Sequence, residues 1–445
     1  MSSASKNILL FGAGKSATVL IRYLLQKAQQ YNWTLTVAEA DVQLALAKTQ
    51  SHPRSAVLKL DVTQNDARMG AIQNADVVIS LLPPHLHYLV AKDCIAHKKH
   101  LLTASYVDEK IRLHEKDIQQ SGILFLCEMG LDPGIDHMSA MRLIDEIKSQ
   151  GGNIKSFKSH CGGLVAPESD DNPWHYKISW NPANVVNAGK AGAIYRDGHQ
   201  TVRLSYTDVF NSCKRVATPA IGEWAYYANR DSLPYMQLYN LQETATFIRT
   251  TLRHPDFCKG WQHLVDAGLT DNEHSMEKFR NAPVNTWLRH VLQHRYRVQS
   301  FEEYLKEIVL HPDRPLIRQQ FEYLGLTGET LIPEHIYSAA DILQHFLESR
   351  LKLRESDKDM VIMLHEIVYE QNGTLHKINS SLMVKGDDHL QTAMAKTVGL
   401  PLGIAAELIL NNELSLKGLH IPIIKDIYVP VLRKLEENNL KFIEI

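Results

Sequence analysis

The sequence predicts an α/β protein: an N-terminal Rossmann-type, doubly wound parallel sheet, then a mixed α/β substrate domain that carries a helical insertion. Three observations predict it. Short apolar runs alternate with helical stretches through the first third, a glycine-rich turn follows the first run, and the alternation stops at Gly130-Leu131-Asp132-Pro133-Gly134. A chain of 445 residues has room for about three domains.

Lys6 to Phe11 reads as a strand, Ala17 to Gln30 as a helix, Thr34 to Ala38 as a strand, Val42 to Thr49 as a helix and Val57 to Leu60 as a strand. Asp76 to Leu82 is a further strand stopped by Pro83 and Pro84. His100 to Thr103 and Ile123 to Cys127 follow, separated by a helical Val107 to Ser121. Strands that are apolar throughout, without alternation, belong in a parallel sheet covered on both faces. Past Gly134 the pattern turns antiparallel, with turns expected at Cys161-Gly162-Gly163 and Arg196-Asp197-Gly198. Amphipathic helices dominate from Asp256 to Arg350, clearest in Gly260 to Gly268, Asn285 to Gln293 and Phe301 to Gly325. Met360 to Gln371 and Thr374 to Lys385 flank Asn372-Gly373, a strong hairpin signal. Gln391 to Asn411 reads as a helix pair punctuated by Gly399 and Gly403. The expected domains are therefore 1–130, completed by 391–411; a substrate domain from 131–255 and 356–445; and an insertion at 256–355.

Lys and Arg number 48 against 50 Asp and Glu, a net charge of -2, so no overall field holds a nucleic acid or an anionic membrane surface. No apolar run is expected to reach the roughly 18–20 residues of a membrane span. The N-terminal Met1 to Asn7 lacks a secretory apolar core. Five cysteines, odd in number and widely spaced, indicate neither a disulfide framework nor a zinc knuckle, and the expected location is cytoplasmic.

Gly12-Ala13-Gly14-Lys15-Ser16-Ala17 matches G-x-G-x-x-G/A between a strand and a helix. The glycines allow a tight turn and close approach of the backbone to a pyrophosphate, whose charge sits on the helix amides. Glu39, just past the second strand, is placed to accept the adenosine ribose hydroxyls and to repel a 2′-phosphate, with Asp41 as its substitute. The expected cofactor is thus NAD, with NADP as the alternative. Asp61 is a candidate neighbour of the adenine or a helix cap. His85, His87, His97 and His100 form the densest histidine group, but no carboxylate or thiolate completes a ligand set, and no metal is expected.

Other strings are more specific: Thr103-Ala104-Ser105-Tyr106, Gly130-Leu131-Asp132-Pro133-Gly134-Ile135-Asp136-His137, Cys161-Gly162-Gly163-Leu164, Asn229-Arg230-Asp231-Ser232, Arg249-Thr250-Thr251-Leu252-Arg253, and Ala393 to Pro401. In this order the chain resembles the glutamate-forming saccharopine dehydrogenases, also called saccharopine reductases, over nearly its whole length. The resemblance implies oxidation of L-saccharopine by a nicotinamide cofactor and water to L-glutamate and 2-aminoadipate 6-semialdehyde, by a homodimer. A substrate with three carboxylates calls for arginines, whose planar fork pairs with a carboxylate. Arg230 and Arg253 stand where the family's substrate arginines would be, with Arg249 a third candidate and Thr251 and Leu252 offering main-chain contacts. Asp132 is the first candidate for the general base, with Tyr106 and Cys161 as the others; Cys161 reads equally as a small buried hydrophobe. Ser105, Tyr106 and Asp132 are expected to meet substrate. Expected dinucleotide contacts extend to Val62, Ala104, Ser105, Leu131, Asp132 and Pro133. His137 is expected to be structural. The alternatives are a related amine-oxidising dehydrogenase, such as lysine 6-dehydrogenase or carboxynorspermidine synthase, and a dinucleotide-binding sensor without turnover.

Overall fold

A computed structural model describes residues 5–445, which divide into two compact units. The first runs to Asn153 and adds Gln371–Gly373 and Leu390–Ile443; the second is built mainly from Ile154–Glu370 and Thr374–His389.

In the first unit, β1 (Asn7–Phe11), β2 (Thr34–Glu39), β3 (Ser55–Lys59), β4 (Val77–Ser80), β5 (His100–Thr103) and β6 (Leu124–Leu126) alternate with helices as the sequence predicts. A late strand, Gly418–His420, adds to the edge at β6, giving a seven-stranded sheet whose order from that edge is β6-β5-β4-β1-β2-β3. Every pairing in it is parallel. This is the doubly wound order, with its topological switch between β1 and β4. Ile8, Leu10, Val77 and Ile79 are fully buried, as strands covered on both faces require. The register aligns the last residues of three strands in one row, Phe11 beside Ser80 and Ser80 beside Thr103, so the loops that follow them share the carboxyl edge.

Three expectations for this unit are corrected. Val107 to Ser121 is two short helices, Glu109–Arg112 and Glu115–Gln120. The expected helix pair near the end is one helix, Ala393–Leu410, with Pro401 inside it. It is 18 residues long with mean hydropathy 1.5, long and apolar enough by composition to cross a membrane, yet 89% of it is buried, which marks a core helix. A Cβ at Gly399 would lie 2.9 Å from the Leu20 amide nitrogen, so glycine lets this helix press against Ala17–Tyr31. The buried Glu407 carboxylate closes the contact, taking hydrogen bonds from the Tyr23 hydroxyl and from Lys27 and Lys434, the latter two at 3.1 Å. The third correction concerns boundaries. The helix Ile135–Ser149 packs against Lys425–Glu437, where Tyr428 donates to Asp145 Oδ2 at 2.6 Å, so 131–153 and 412–443 belong to the nucleotide unit.

The second unit is organised by β7 (Asn153–Val165), β8 (Ala193–Asp197), β9 (Gln200–Leu204), β10 (Lys214–Thr218), β11 (Gly222–Ala228), β12 (Arg230–Asp231), β13 (Thr246–Arg253), β14 (Asp359–Gln371) and β15 (Thr374–Lys385). The mixed sheet runs β10-β11-β13-β7-β14-β15, with β8, β9 and β12 branching from β13. The β14–β15 hairpin turns at Asn372 and Gly373, both with positive φ, as its two-residue turn needs. The expected turn at Cys161-Gly162-Gly163 is instead continuous strand inside β7. The helical stretch 256–355 is no separate domain: Trp261, Trp287 and Phe321 share one apolar cluster with Trp174, Tyr176 and Tyr227 from the sheet side. Phe301 to Gly325 is two helices, Phe301–Glu307 and Arg314–Leu324, interrupted at His311-Pro312.

Candidate active site

The glycine loop leaves β1 with Gly12 at φ +98, and a Cβ there would sit 3.0 Å from the Leu81 carbonyl oxygen, so only glycine fits. The Gly12 amide donates to Ala38 O at 3.0 Å, which ties the loop to the end of β2. Around Gly14 nothing lies within 4 Å of the position a Cβ would take. The helix that follows has Ser16 at its N-cap without a side-chain cap hydrogen bond and no acid in its first turn. Uncapped amides beside an open glycine backbone are the donor set a pyrophosphate needs, so Gly12 to Ala17 fit a dinucleotide.

Glu39 faces the same loop. One of its carboxylate oxygens accepts from the Ala13 amide at 2.7 Å and the other from the Ala40 amide at 2.8 Å. It is thereby fixed as the acid beside the glycine turn, with lone pairs remaining for ribose hydroxyls. Asp41 does not share this role: its carboxylate caps the helix Val42–Thr49 through Gln43 N at 3.0 Å and Leu44 N at 3.4 Å. Asp61 likewise closes a turn, accepting from the Thr63 amide at 2.9 Å and its hydroxyl at 2.8 Å; the amide hydrogen bond leads in holding this exposed carboxyl below its ordinary pKa. Val62 is buried in the core and its carbonyl accepts from Arg68.

Sequence reasoning passed over Lys48. Its ammonium donates to the Gly14 carbonyl, burial pulls its pKa down to about 8, and Glu39 opposes that shift through its charge. Lys48 lies in the last turn of the helix Val42–Thr49, well past the end of β2, and that helix carries it back to the glycine loop.

At the ends of β4 and β5 a second constellation forms. Ser80 Oγ lies 2.8 Å from His87 Nδ1, and His87 Nε2 lies 2.8 Å from Ser105 Oγ. Burial drives the His87 pKa down to about 4, so the ring is neutral at physiological pH and holds the Ser105 hydroxyl by a hydrogen bond. His87 therefore positions Ser105, a role not visible in the sequence, where it counted only as one of a histidine group. Ala104, Ser105 and Tyr106 follow β5, and the amides of Glu128 and Met129 donate to Ser105 O and Thr103 O, both at 3.0 Å. This fastens the segment that leads to Leu131, Asp132 and Pro133. That turn is closed by Gly130 N to Pro133 O at 2.9 Å, and Asp132 is half-buried on it, joined to Pro133 by a cis peptide bond. His137 is buried, with Nε2 2.9 Å from Glu128 Oε2 and Nδ1 3.6 Å from Asp136 Oδ2.

On the second unit, β7 and β13 run parallel, with Cys161 beside Thr251. A Cβ at Gly162 would fall 2.7 Å from both the Cβ and the carbonyl oxygen of Leu252, so the glycine is there for close approach of two strands. Alternation along β13 puts Arg249, Thr251 and Arg253 on one face. Leu252 points the other way, into the cluster with Met360, Ile362 and Leu364, and its carbonyl accepts from Arg253 Nη1 at 2.8 Å. The guanidinium of Arg253 lies 5.2 Å from the Tyr176 ring centroid and 5.5 Å from that of Phe257, and it is only 4% exposed. Its Nε is buried without a hydrogen-bond partner, and among the described residues no carboxylate pairs with it. Arg249 is equally buried, its guanidinium 4.3 Å from the Tyr235 ring. Arg230 is exposed at φ 55. Cys161 is buried in the strand, which suits the small-hydrophobe reading.

A doubly wound sheet with an open glycine turn and an acid at the end of its second strand defines the class of dinucleotide-binding α/β proteins. The family model for the saccharopine dehydrogenase NADP binding domain matches residues 8–126, and that for the saccharopine dehydrogenase C-terminal domain matches residues 130–440. The chain belongs to the saccharopine dehydrogenase family. It is 33% identical over 440 residues to the Saccharomyces cerevisiae saccharopine dehydrogenase [NADP(+), L-glutamate-forming], covering 97% of each chain. The apo structure of the L-Glu-forming enzyme from that yeast superposes with a TM-score of 0.87 at 32% identity, covering 99% of this chain and all of that one. With the alpha-aminoadipic semialdehyde synthase of Arabidopsis thaliana it shares 33% identity over 406 residues, 87% of this chain but only 38% of that protein, so it spans less than half the length of that relative.

Proposed function

We propose that the chain oxidises L-saccharopine with a nicotinamide dinucleotide and water, yielding L-glutamate, 2-aminoadipate 6-semialdehyde, the reduced dinucleotide and a proton. The observation that carries this reading is Arg253, a buried cation whose Nε has no partner and which no carboxylate of the described residues neutralises. A buried charge is costly unless paired, and a substrate carboxylate supplies the missing partner in a bidentate geometry. Arg249 on the same strand face and the exposed Arg230 serve the other carboxylates. Asp132 takes the proton of the secondary amine and later helps water attack the imine carbon; Tyr106 and Ser105, the latter held by His87, orient the substrate.

The bound dinucleotide supplies the hydride acceptor. The glycine turn from Gly12 to Ala17, at the start of its helix, would hold the pyrophosphate, and Glu39 the ribose hydroxyls. Glu39 favours an unphosphorylated ribose and supports NAD. Lys48, charged below about pH 8, and the NADP(+) named for the yeast relative support NADP as the second cofactor. Initial rates with saccharopine and each cofactor in turn test substrate and cofactor together. We expect absorbance of reduced nicotinamide to grow with NAD faster than with NADP; no reduction with either cofactor would overturn the reading.

A further inference from the structure

Tyr106 and Asp132, both assigned to the substrate above, sit on separate loops of the first unit, and a buried chain of polar groups runs from one loop to the other. Glu128 starts it. Its amide donates to the Ser105 carbonyl oxygen at 3.0 Å and its Oε1 accepts from the Val107 amide at 3.3 Å, so one residue brackets Tyr106 from both sides. Its other oxygen, Oε2, lies 2.9 Å from His137 Nε2. A carboxylate only accepts, which places the ring proton on Nε2. Beyond the ring, Nδ1 is 3.6 Å from Asp136 Oδ2, too long for a hydrogen bond but close for charge, and Asp136 Oδ1 accepts from the Gly134 amide at 2.6 Å. The Asp136 amide donates in turn to the Leu131 carbonyl oxygen at 3.0 Å, so Asp136 grips the turn before and after Asp132-Pro133.

Each acid therefore clamps one loop, and His137 ties the two clamps together. The side chains of Glu128, Asp136 and His137 are 5%, 1% and 0% exposed, so water does not compete for these contacts. Burying two carboxylates is costly unless their oxygens are satisfied, and a site that needed only packing would be filled more cheaply by apolar side chains. Glu128 also holds φ 59, a left-handed backbone that a non-glycine residue keeps only where its surroundings over-determine it. Such residues cluster at functional sites. We infer that Glu128, His137 and Asp136 are positioning residues that hold Tyr106 and Asp132 in one register for the substrate, an inference that rests on the role given above to those two residues.

Glu128→Gln keeps the shape but turns one acceptor into a donor that faces either the Val107 amide or the His137 ring, and His137→Leu cuts the link outright. Hydrogen exchange of the full chain, read by mass spectrometry over 103–107, should quicken at least about tenfold in both variants, with exchange in β1 unchanged. In the same variants kcat for saccharopine should fall roughly 10–100-fold, the scale of misplacing reacting groups by about 1 Å, while the dinucleotide dissociation constant, read by fluorescence, stays within about threefold. His137→Gln retains an N–H donor for Glu128 and should keep kcat within about threefold of the parent, a rescue that a packing role would not give. Unchanged exchange over 103–107 in both Glu128→Gln and His137→Leu, a kcat within about threefold of the parent in both, or a His137→Gln as impaired as His137→Leu would overturn the inference. If the parent itself reduced no dinucleotide with saccharopine, the substrate reading would fall instead, and the exchange rates would still decide the clamp.

Discussion

The glycine turn of the first unit and the β7–β13 pair of the second both use glycine to bring backbones close, by different routes. At Gly12 the constraint is local: the turn, the helix start and Glu39 lie within one β-α-β segment, and the Glu39 carboxylate reaches back only 26 residues to the Ala13 amide. At Gly162 the constraint is distant, since its neighbour Leu252 belongs to another strand, and Arg253 is tied to Gly163 across 90 residues. A local site follows from a motif. A site made by strand register follows from the packing of a whole sheet.

Arg253→Ala probes the register-built side and should have the largest effect. Removing one partner of a buried charge pair costs about 3–5 kcal/mol, so the KM for saccharopine should rise at least about 100-fold, while dinucleotide affinity measured by fluorescence stays put. A KM within about threefold of the parent would mean that β13 does not hold the substrate.

Glu39→Arg probes the local side. Exchanging an acceptor of ribose hydroxyls for a guanidinium should raise the NADP-to-NAD ratio of kcat/KM roughly 10–100-fold, the scale of one or two charge-assisted hydrogen bonds. The ratio is the measurement to use, because the substitution also loosens the Ala13 contact and lowers both rates. A ratio that does not move would remove Glu39 as the reader of the ribose.

The smallest effect tests a second local link of the first unit, from Ser80 through His87 to Ser105. In the folded chain His87 resists protonation down to about pH 4, whereas an unfolded histidine takes its proton near 6.5. Between those values the unfolded state binds more protons, so the contribution is fully present above about pH 6.5 and is lost as pH falls toward 4. Urea unfolding should show about 1 kcal/mol more loss between pH 7 and 5.5 for the parent than for His87→Gln. Equal pH dependence in the two proteins would show that the ring is not held neutral.

Much of the first unit was legible because its signals are short in range. Apolar runs without alternation announce buried parallel strands, and Gly12, Gly14 and Glu39 take their roles from neighbours in one supersecondary unit. Asp41 and Asp61 share one local chemistry: a carboxylate two residues ahead of a backbone amide closes on that amide, which for Asp61 is the cap reading and for Asp41 leaves the ribose to Glu39. On the second unit, Cys161-Gly162-Gly163 resembles a turn because glycines usually mark turns; inside a sheet the same residues admit a neighbouring strand.

The sequence by itself determined the order of strands and helices in the nucleotide unit, the identity of the phosphate-facing turn, and the presence of arginines on one short segment. Periodicity and local hydrogen bonding fix such features within a few residues. Only the tertiary structure decided that 131–153 and the late strand and helices join the first unit, that the helical stretch 256–355 shares its core with the second sheet, that Lys48 returns to the glycine loop, and that Arg253 is buried with Nε unpaired. Each of these depends on which distant surfaces bury each other, and that choice is made by the packing of the whole core rather than by any one segment.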